Sequence, residues 1–158
     1  MTFREPTYKL VGMSAPAYSS PTTDRDATRE VLLDEAFDQM YLNGYHASGL
    51  KDILASSGLT KGALYHHFGS KLELGYAVVE ERVLPLVRER YLKPFSQVTD
   101  PLVAVERMGL RMHQELLRKG ILARGCPLNN LVQEMSGVDE GFRQRLESIL
   151  HEWQDTIA

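Results

Sequence analysis

Between Gly44 and Lys71 the chain reads GYHASGLKDILASSGLTKGALYHHFGSK, in which Lys51, Lys61 and Lys71 face a single acid, Asp52. His46, His66 and His67 add three protonatable rings to the same stretch. The acidic surplus lies elsewhere, much of it at Glu30, Asp34, Glu35 and Asp38. A cationic stretch set apart from acidic neighbours steers one face of a protein toward phosphate and keeps the rest away. Gly62 has no side chain, so the backbone there can come close to a groove or a phosphate. Helix N-termini near Ser48 and Ser70, on either side of it, are anion sites in their own right.

Other chemistries fit the sequence less well. His66 and His67 are neighbours, so on a helix they point about 100° apart and cannot share one metal ion. No Cys or carboxylate stands beside them at ligand spacing, and neither a metal nor another cofactor is expected. Cys126 is the only cysteine. A nucleophilic thiol needs a base and an oxyanion site, and no His or Asp is tied to Cys126 by a motif. An inert, buried thiol at a helix start is expected there, and the chain does not read as an enzyme.

The elements that must position these residues are helical throughout. Residues 1–23 carry Pro6, Pro16 and Pro21 without a sustained period and read as a flexible arm, from which Arg4 and Lys9 could touch an anionic partner. Leu33, Ala36, Phe37, Met40 and Tyr41 then recur at the spacing of one helix face. Asp24 or Asp26 is placed to cap that helix and Gly44 to stop it. Ser48 can cap a short second helix with core face Leu50, Ile53 and Leu54, ended by Ser56-Ser57-Gly58. Thr60 caps a third, from Lys61 to about Phe68, on which Leu64 and Phe68 point inward and Lys61, Tyr65 and His66 outward. Two short helices joined by so tight a turn cross steeply, as in a helix-turn-helix.

Ser70-Lys71-Leu72-Glu73 is a capping box opening a helix to about Tyr91, where Pro94 should stop it. Pro85 should kink this rod near Glu81 or split it. Asp100-Pro101 starts the next helix, with apolar Leu102, Val105, Met112 and Leu116. After a loop bracketed by Gly120 and Gly125, Pro127 starts a helix through Leu128, Leu131, Val132 and Met135, closed by Gly137. Asp139 caps the last helix, whose stripe is Phe142, Leu146, Ile149, Leu150, Trp153 and Ile157. With no strand-like alternation and no repeat, the fold class is all-α.

Composition agrees with that picture. The chain has 158 residues, 43% hydrophobic and 25% charged, with a formal net charge of −3. A chain of about 150 residues buries roughly 68–70% of its unfolded surface, enough for a core without disulfides. One cysteine closes no intrachain bridge and suits a reducing compartment. No run approaches the roughly 20 apolar residues of a membrane span. Arg4, Glu5, Pro6 and Lys9 stand where a signal peptide would be apolar. A soluble cytoplasmic protein without a membrane partner is expected.

From Ala27 to about Tyr76, the turn glycine Gly58, the Thr60-Lys61-Gly62 start, the Leu64-Tyr65-His66-His67-Phe68 run and the Ser70-Lys71-Leu72-Glu73 opening together resemble the DNA-binding domain of TetR-family transcriptional regulators. The resemblance implies that residues 24–76 form a three-helix helix-turn-helix domain. In it Thr60, Lys61, Gly62, Tyr65 and His66 would contact DNA, with Ser48, His67 and Lys71 at or beside phosphates. Family sequences usually carry a second Ser or Thr where this chain has Gly49. Residues 77–158 resemble the family's helical regulatory core more faintly, chiefly at Gly125-Cys126-Pro127-Leu128-Asn129-Asn130-Leu131. That core would bind a small-molecule effector, and Met108, Met112, Cys126, Met135, Phe142 and Trp153 are candidate pocket walls. Family chains usually continue for two further long helices that pair with a second subunit, so the core reads as C-terminally short. The implied function is a ligand-responsive repressor binding a palindromic operator in double-stranded DNA as a homodimer. The alternative is a helical ligand-binding or protein-interaction module with a vestigial helix-turn-helix.

Overall fold

The computed structural model describes residues 24–119 and 125–157. The arm expected over 1–23, Gly120 and the Leu116 side chain lie outside the described residues. The first helix, α1 (Asp24–Asn43), buries Leu33, Ala36, Phe37, Met40 and Tyr41 as its spacing requires, and Leu32 with them. It ends at Gly44, whose φ of 84° is left-handed and whose N–H still donates to the Met40 carbonyl.

Helix α2 (Leu50–Ser57) is closed the same way by Gly58, at φ 70°, with its N–H on the Leu54 carbonyl. Helix α3 (Lys61–His67) opens on Thr60, whose hydroxyl accepts from the Ala63 N–H at 3.2 Å. Helix α4 (Lys71–Val78) opens on Ser70, which accepts from the Glu73 N–H at 3.1 Å while the Glu73 carboxylate reaches back to the Gly69 N–H at 2.8 Å. This is the expected capping box, with its return bond made one residue earlier than usual.

The helix begun at Lys71 does not stop at Tyr91. It continues through a π turn, Val79–Val83, then α5 (Leu84–Val87), a second π turn, Arg88–Leu92, and α6 (Lys93–Ser96). Nor does Pro85 split it. Val83 and Leu84 keep helical dihedrals, and the Leu84 N–H bonds five residues back to Val79. Wider π turns just ahead of Pro85 and Pro94 place each proline in a first turn, where its missing N–H is no loss.

Helix α7 (Pro101–Lys119) follows, with the Asp100 carboxylate accepting from the Leu102 N–H at 2.9 Å. Then come α8 (Pro127–Met135) and α9 (Glu140–Ile157), the latter capped by Asp139 on the Phe142 N–H at 2.9 Å. The fold is all-α, with no strand among the described residues.

Helices α1 to α4 share one apolar core with the rod, α8 and α9. Charged clamps close its edges: Arg82 bonds Glu30 at 2.6 Å and Asp34 at 2.7 Å, and Arg29 bonds Glu81 at 2.6 Å. Tyr91 stacks on Trp153 with centroids 5.0 Å apart. Helix α7 packs mainly on α6. It buries Ala104, while Leu102 and Val105 of the apolar set read from the sequence stand 77% and 49% exposed. Periodicity shows which residues share a face, and a neighbouring element must still be there to cover it.

Candidate nucleic-acid interface

Helix α3 is anchored from below by Leu64, fully buried, and Phe68, 4% exposed. Phe68 lies just past the end of the helix in extended conformation, with its N–H donating to the Leu64 carbonyl at 2.8 Å. Lys61, Gly62, Tyr65 and His66 are all exposed, as the spacing predicts, with Tyr65 at 46%. The Lys61 ammonium lies 5.7 Å from the Tyr65 ring centroid, so a cation and an aromatic face outward together. Thr60 is also exposed, its hydroxyl engaged in the cap.

His67 is half-buried against His66. Burial first, then His66 and the guanidiniums of Arg25 and Arg29, lower its pKa from the ordinary histidine value, with Asp26 opposing. These arginines bring positive charge to the α3 edge from the start of α1, which the sequence reading did not assign. Their signal was the DRDATRE run, in which alternating signs concealed which residues would face α3.

Lys71 donates from Nζ to the His46 carbonyl at 3.2 Å and lies 4.5 Å from the Tyr45 ring centroid. Burial pulls its pKa down, and the charge of Glu134 partly restores it. Ser48 departs from expectation. It is 1% exposed and donates its hydroxyl to the Gly44 carbonyl at 2.5 Å, while α2 starts from Gly49 without a side-chain cap. Its hydroxyl stabilises the turn from inside, which takes it out of the set of outward-facing candidates.

The turn holding Tyr45 and His46 has a further partner that no local pattern announced. Glu134 of α8 accepts from the Tyr45 N–H at 2.7 Å and the His46 N–H at 2.8 Å.

Of the six candidate pocket residues, two are sealed in the core and four are partly buried against it. Met135 and Phe142 are core residues, 2% and 0% exposed. Phe142 meets Tyr45 edge-on at 4.9 Å and Tyr76 at 5.2 Å, and Gly75 leaves the space its ring fills. Met108, Met112, Cys126 and Trp153 are partly buried against the same core. Two furrows run along α9, one lined by Gln144, His151 and Asp155 among others, the second by Glu80, Leu84 and Arg145 among others; neither includes any of the six. Cys126 sits beside Tyr91, whose phenol is pushed up to about 12 by burial and by that thiol. Among the described residues no group of three His, Cys, Asp or Glu could hold a metal ion, and no helix is long and apolar enough to cross a membrane.

A short helix held by two apolar anchors and displaying Lys, Gly, Tyr and His after a glycine turn defines a helix-turn-helix protein. The family described as bacterial regulatory proteins, tetR family, matches residues 32–78, which include α2 and α3. The chain is 32% identical over 131 residues to a helix-turn-helix-type transcriptional regulator in the lacX 3′ region of Lactococcus lactis subsp. lactis, covering 83% of this chain and 66% of that protein. It is 28% identical over 135 residues to the transcriptional regulator AcuR of Cereibacter sphaeroides, covering 85% and 61% respectively. A solved structure of a regulatory protein TetR from Rhodobacter sphaeroides superposes with a TM-score of 0.71 at 26% identity, covering 82% of this chain and 68% of that one. The chain belongs to the TetR family of bacterial regulatory proteins. It spans just under two thirds of the length of the first two relatives.

Proposed function

We propose that the chain acts as a ligand-responsive, DNA-binding transcriptional regulator, a repressor that reads a palindromic operator as a homodimer in the cytoplasm and catalyses no reaction. Residues 24–76 are the reading domain and 77–158 belong to the sensing and dimerising core. The observation that carries this reading is the outward display of Lys61, Gly62, Tyr65 and His66 above the buried Leu64 and Phe68. Thr60, Lys61, Gly62, Tyr65 and His66 face the groove, while His67 and Lys71 lie toward the phosphates. Similarity to proteins named as transcriptional regulators supports the class. One relative, 27% identical over 129 residues, is named as the transcriptional repressor DhaR of a Mycobacterium species, and another, 44% identical over 63 residues, as the transcriptional activator FasR of Mycolicibacterium smegmatis. Two copies of α3 would enter successive major grooves about 34–36 Å apart, and an effector would act by changing that separation.

The test is selection of bound duplexes from a random pool, followed by titration at several salt concentrations. Lys61→Ala and Lys71→Ala are expected to weaken binding and each to flatten the logarithmic salt slope by about 0.9, the value for one phosphate contact on B-DNA. Failure to enrich any duplex would overturn the reading. An unchanged slope in the double variant would remove these lysines from the phosphate path.

A further inference from the structure

The turn between α1 and α2 is held by opposite charges at its opposite poles. Its two successive amides, Tyr45 N–H and His46 N–H, are taken by the two carboxylate oxygens of Glu134 at 2.7 and 2.8 Å. Its outward carbonyl, that of His46, takes the Lys71 ammonium at 3.2 Å. The fit is close: a Cβ added to Gly44 would stand 2.8 Å from a Glu134 oxygen, and Gly44 already has a left-handed φ of 84°. Consecutive backbone N–H groups form a concavity suited to an anion, and a charge-assisted bond to each is stronger than a neutral one.

The chemistry of the place makes this arrangement informative. Next to a surface meant for phosphate, a carboxylate is a liability unless its charge is absorbed. Here two amides absorb it, with the Lys71 ammonium close by. In return the carboxylate holds the residues that lead into α2 and the carbonyl on which Lys71 rests. Glu134 lies on α8, outside the helix-turn-helix, 88 residues beyond His46. We propose that Glu134 is a positioning residue for nucleic-acid binding, setting the Tyr45-His46 turn and thereby the place of Lys71. The proposal rests on the DNA-binding reading above.

The experiment uses the full chain and a duplex enriched by the wild-type protein from a random pool. Wild type, Glu134→Gln, Lys71→Ala and the double variant are titrated with that duplex over a series of salt concentrations, and each is melted to establish that it folds. Gln keeps one acceptor but sets an NH2 group against the second amide, so E134Q should bind about tenfold more weakly with a shallower salt slope. In the E134Q background, Lys71→Ala should have little further effect, because Lys71 has already lost its placement. A structural role alone would leave the slope unchanged and let the two losses multiply, and that result would overturn the proposal. Wild-type affinity in E134Q would do the same. If E134Q does not fold, Glu134→Asp, one methylene too short to reach both amides, carries the same comparison. Should the wild type enrich no duplex, the DNA-binding reading itself falls, an outcome distinct from an E134Q chain that binds like wild type.

Discussion

Helices α3 and α7 are both amphipathic by sequence, yet they use their two faces in opposite ways. On the seven-residue α3, Leu64 and the following Phe68 are buried, and what faces out is polar, cationic or aromatic. On the nineteen-residue α7, Ala104 is buried while Leu102, Val105 and Leu110 stand 77%, 49% and 56% exposed. A short helix between tight turns has its orientation set by its two anchors. A long helix docked mainly along one neighbour is oriented by whatever that neighbour covers, and its period does not reveal the coverage. Outward residues are therefore informative about chemistry on α3, and inward ones about packing in the second half.

The largest effect that could break this contrast concerns Phe142, a candidate pocket residue that proves to be core. Phe142→Ala should cost about 3–5 kcal/mol of stability, read from a urea midpoint, since the ring fills the space between Tyr45, Tyr76 and Gly75. Tyr65→Ala, on the exposed face of α3, should leave that midpoint almost unmoved and instead weaken binding to the selected duplex. Reversed results for this pair would invert the roles assigned to the two regions.

A smaller effect sharpens how the second half is fastened to α4. Tyr76 donates to Asp139 at 2.7 Å, and that bond, with the Phe142 N–H, holds the Asp139 carboxyl below its ordinary pKa. A carboxylate depressed in the folded state stabilises fully above its unfolded value of about 3.9, and the contribution is lost as pH falls through the folded value. Asp139→Asn should therefore lower the melting temperature at neutral pH and make it less sensitive to acid below about pH 4 than that of the wild type. Parallel melting curves against pH for the two chains would remove Asp139 from the acid response. The smallest effect belongs to α7: Leu102→Ser should change stability by no more than about 0.5 kcal/mol, as for an uncovered surface site. A loss several times larger, measured by denaturant titration, would mean that Leu102 is covered in solution.

Local rules served well wherever the partners lie within a few residues. Thr60 on Ala63, Ser70 on Glu73 and Asp139 on Phe142 are caps three residues long, and each forms as its residue types predict. Ser48 shows where such rules stop: a hydroxyl in capping position turned back four residues to the Gly44 carbonyl instead. Pro94 reads as a stop and Pro85 as a kink near Glu81 or a split, because a proline inside an α-helix removes one of its hydrogen bonds. The π turns at Val79–Val83 and Arg88–Leu92, just ahead of the two prolines, are not marked by any residue pattern.

The amino-acid order alone determined the all-α class, the glycine stops at Gly44 and Gly58, the two faces of α3 and the family to which they point. Each follows from a preference expressed within one or two helical turns. Tertiary structure decided that Glu134 grips Tyr45 and His46 across 89 and 88 residues, that Tyr76 meets Asp139 across 63, and that Phe142 is core and Leu102 bare. Those outcomes depend on how helices stack, and stacking is settled by the competition of all apolar faces for a limited interior, which no short stretch of chain contains.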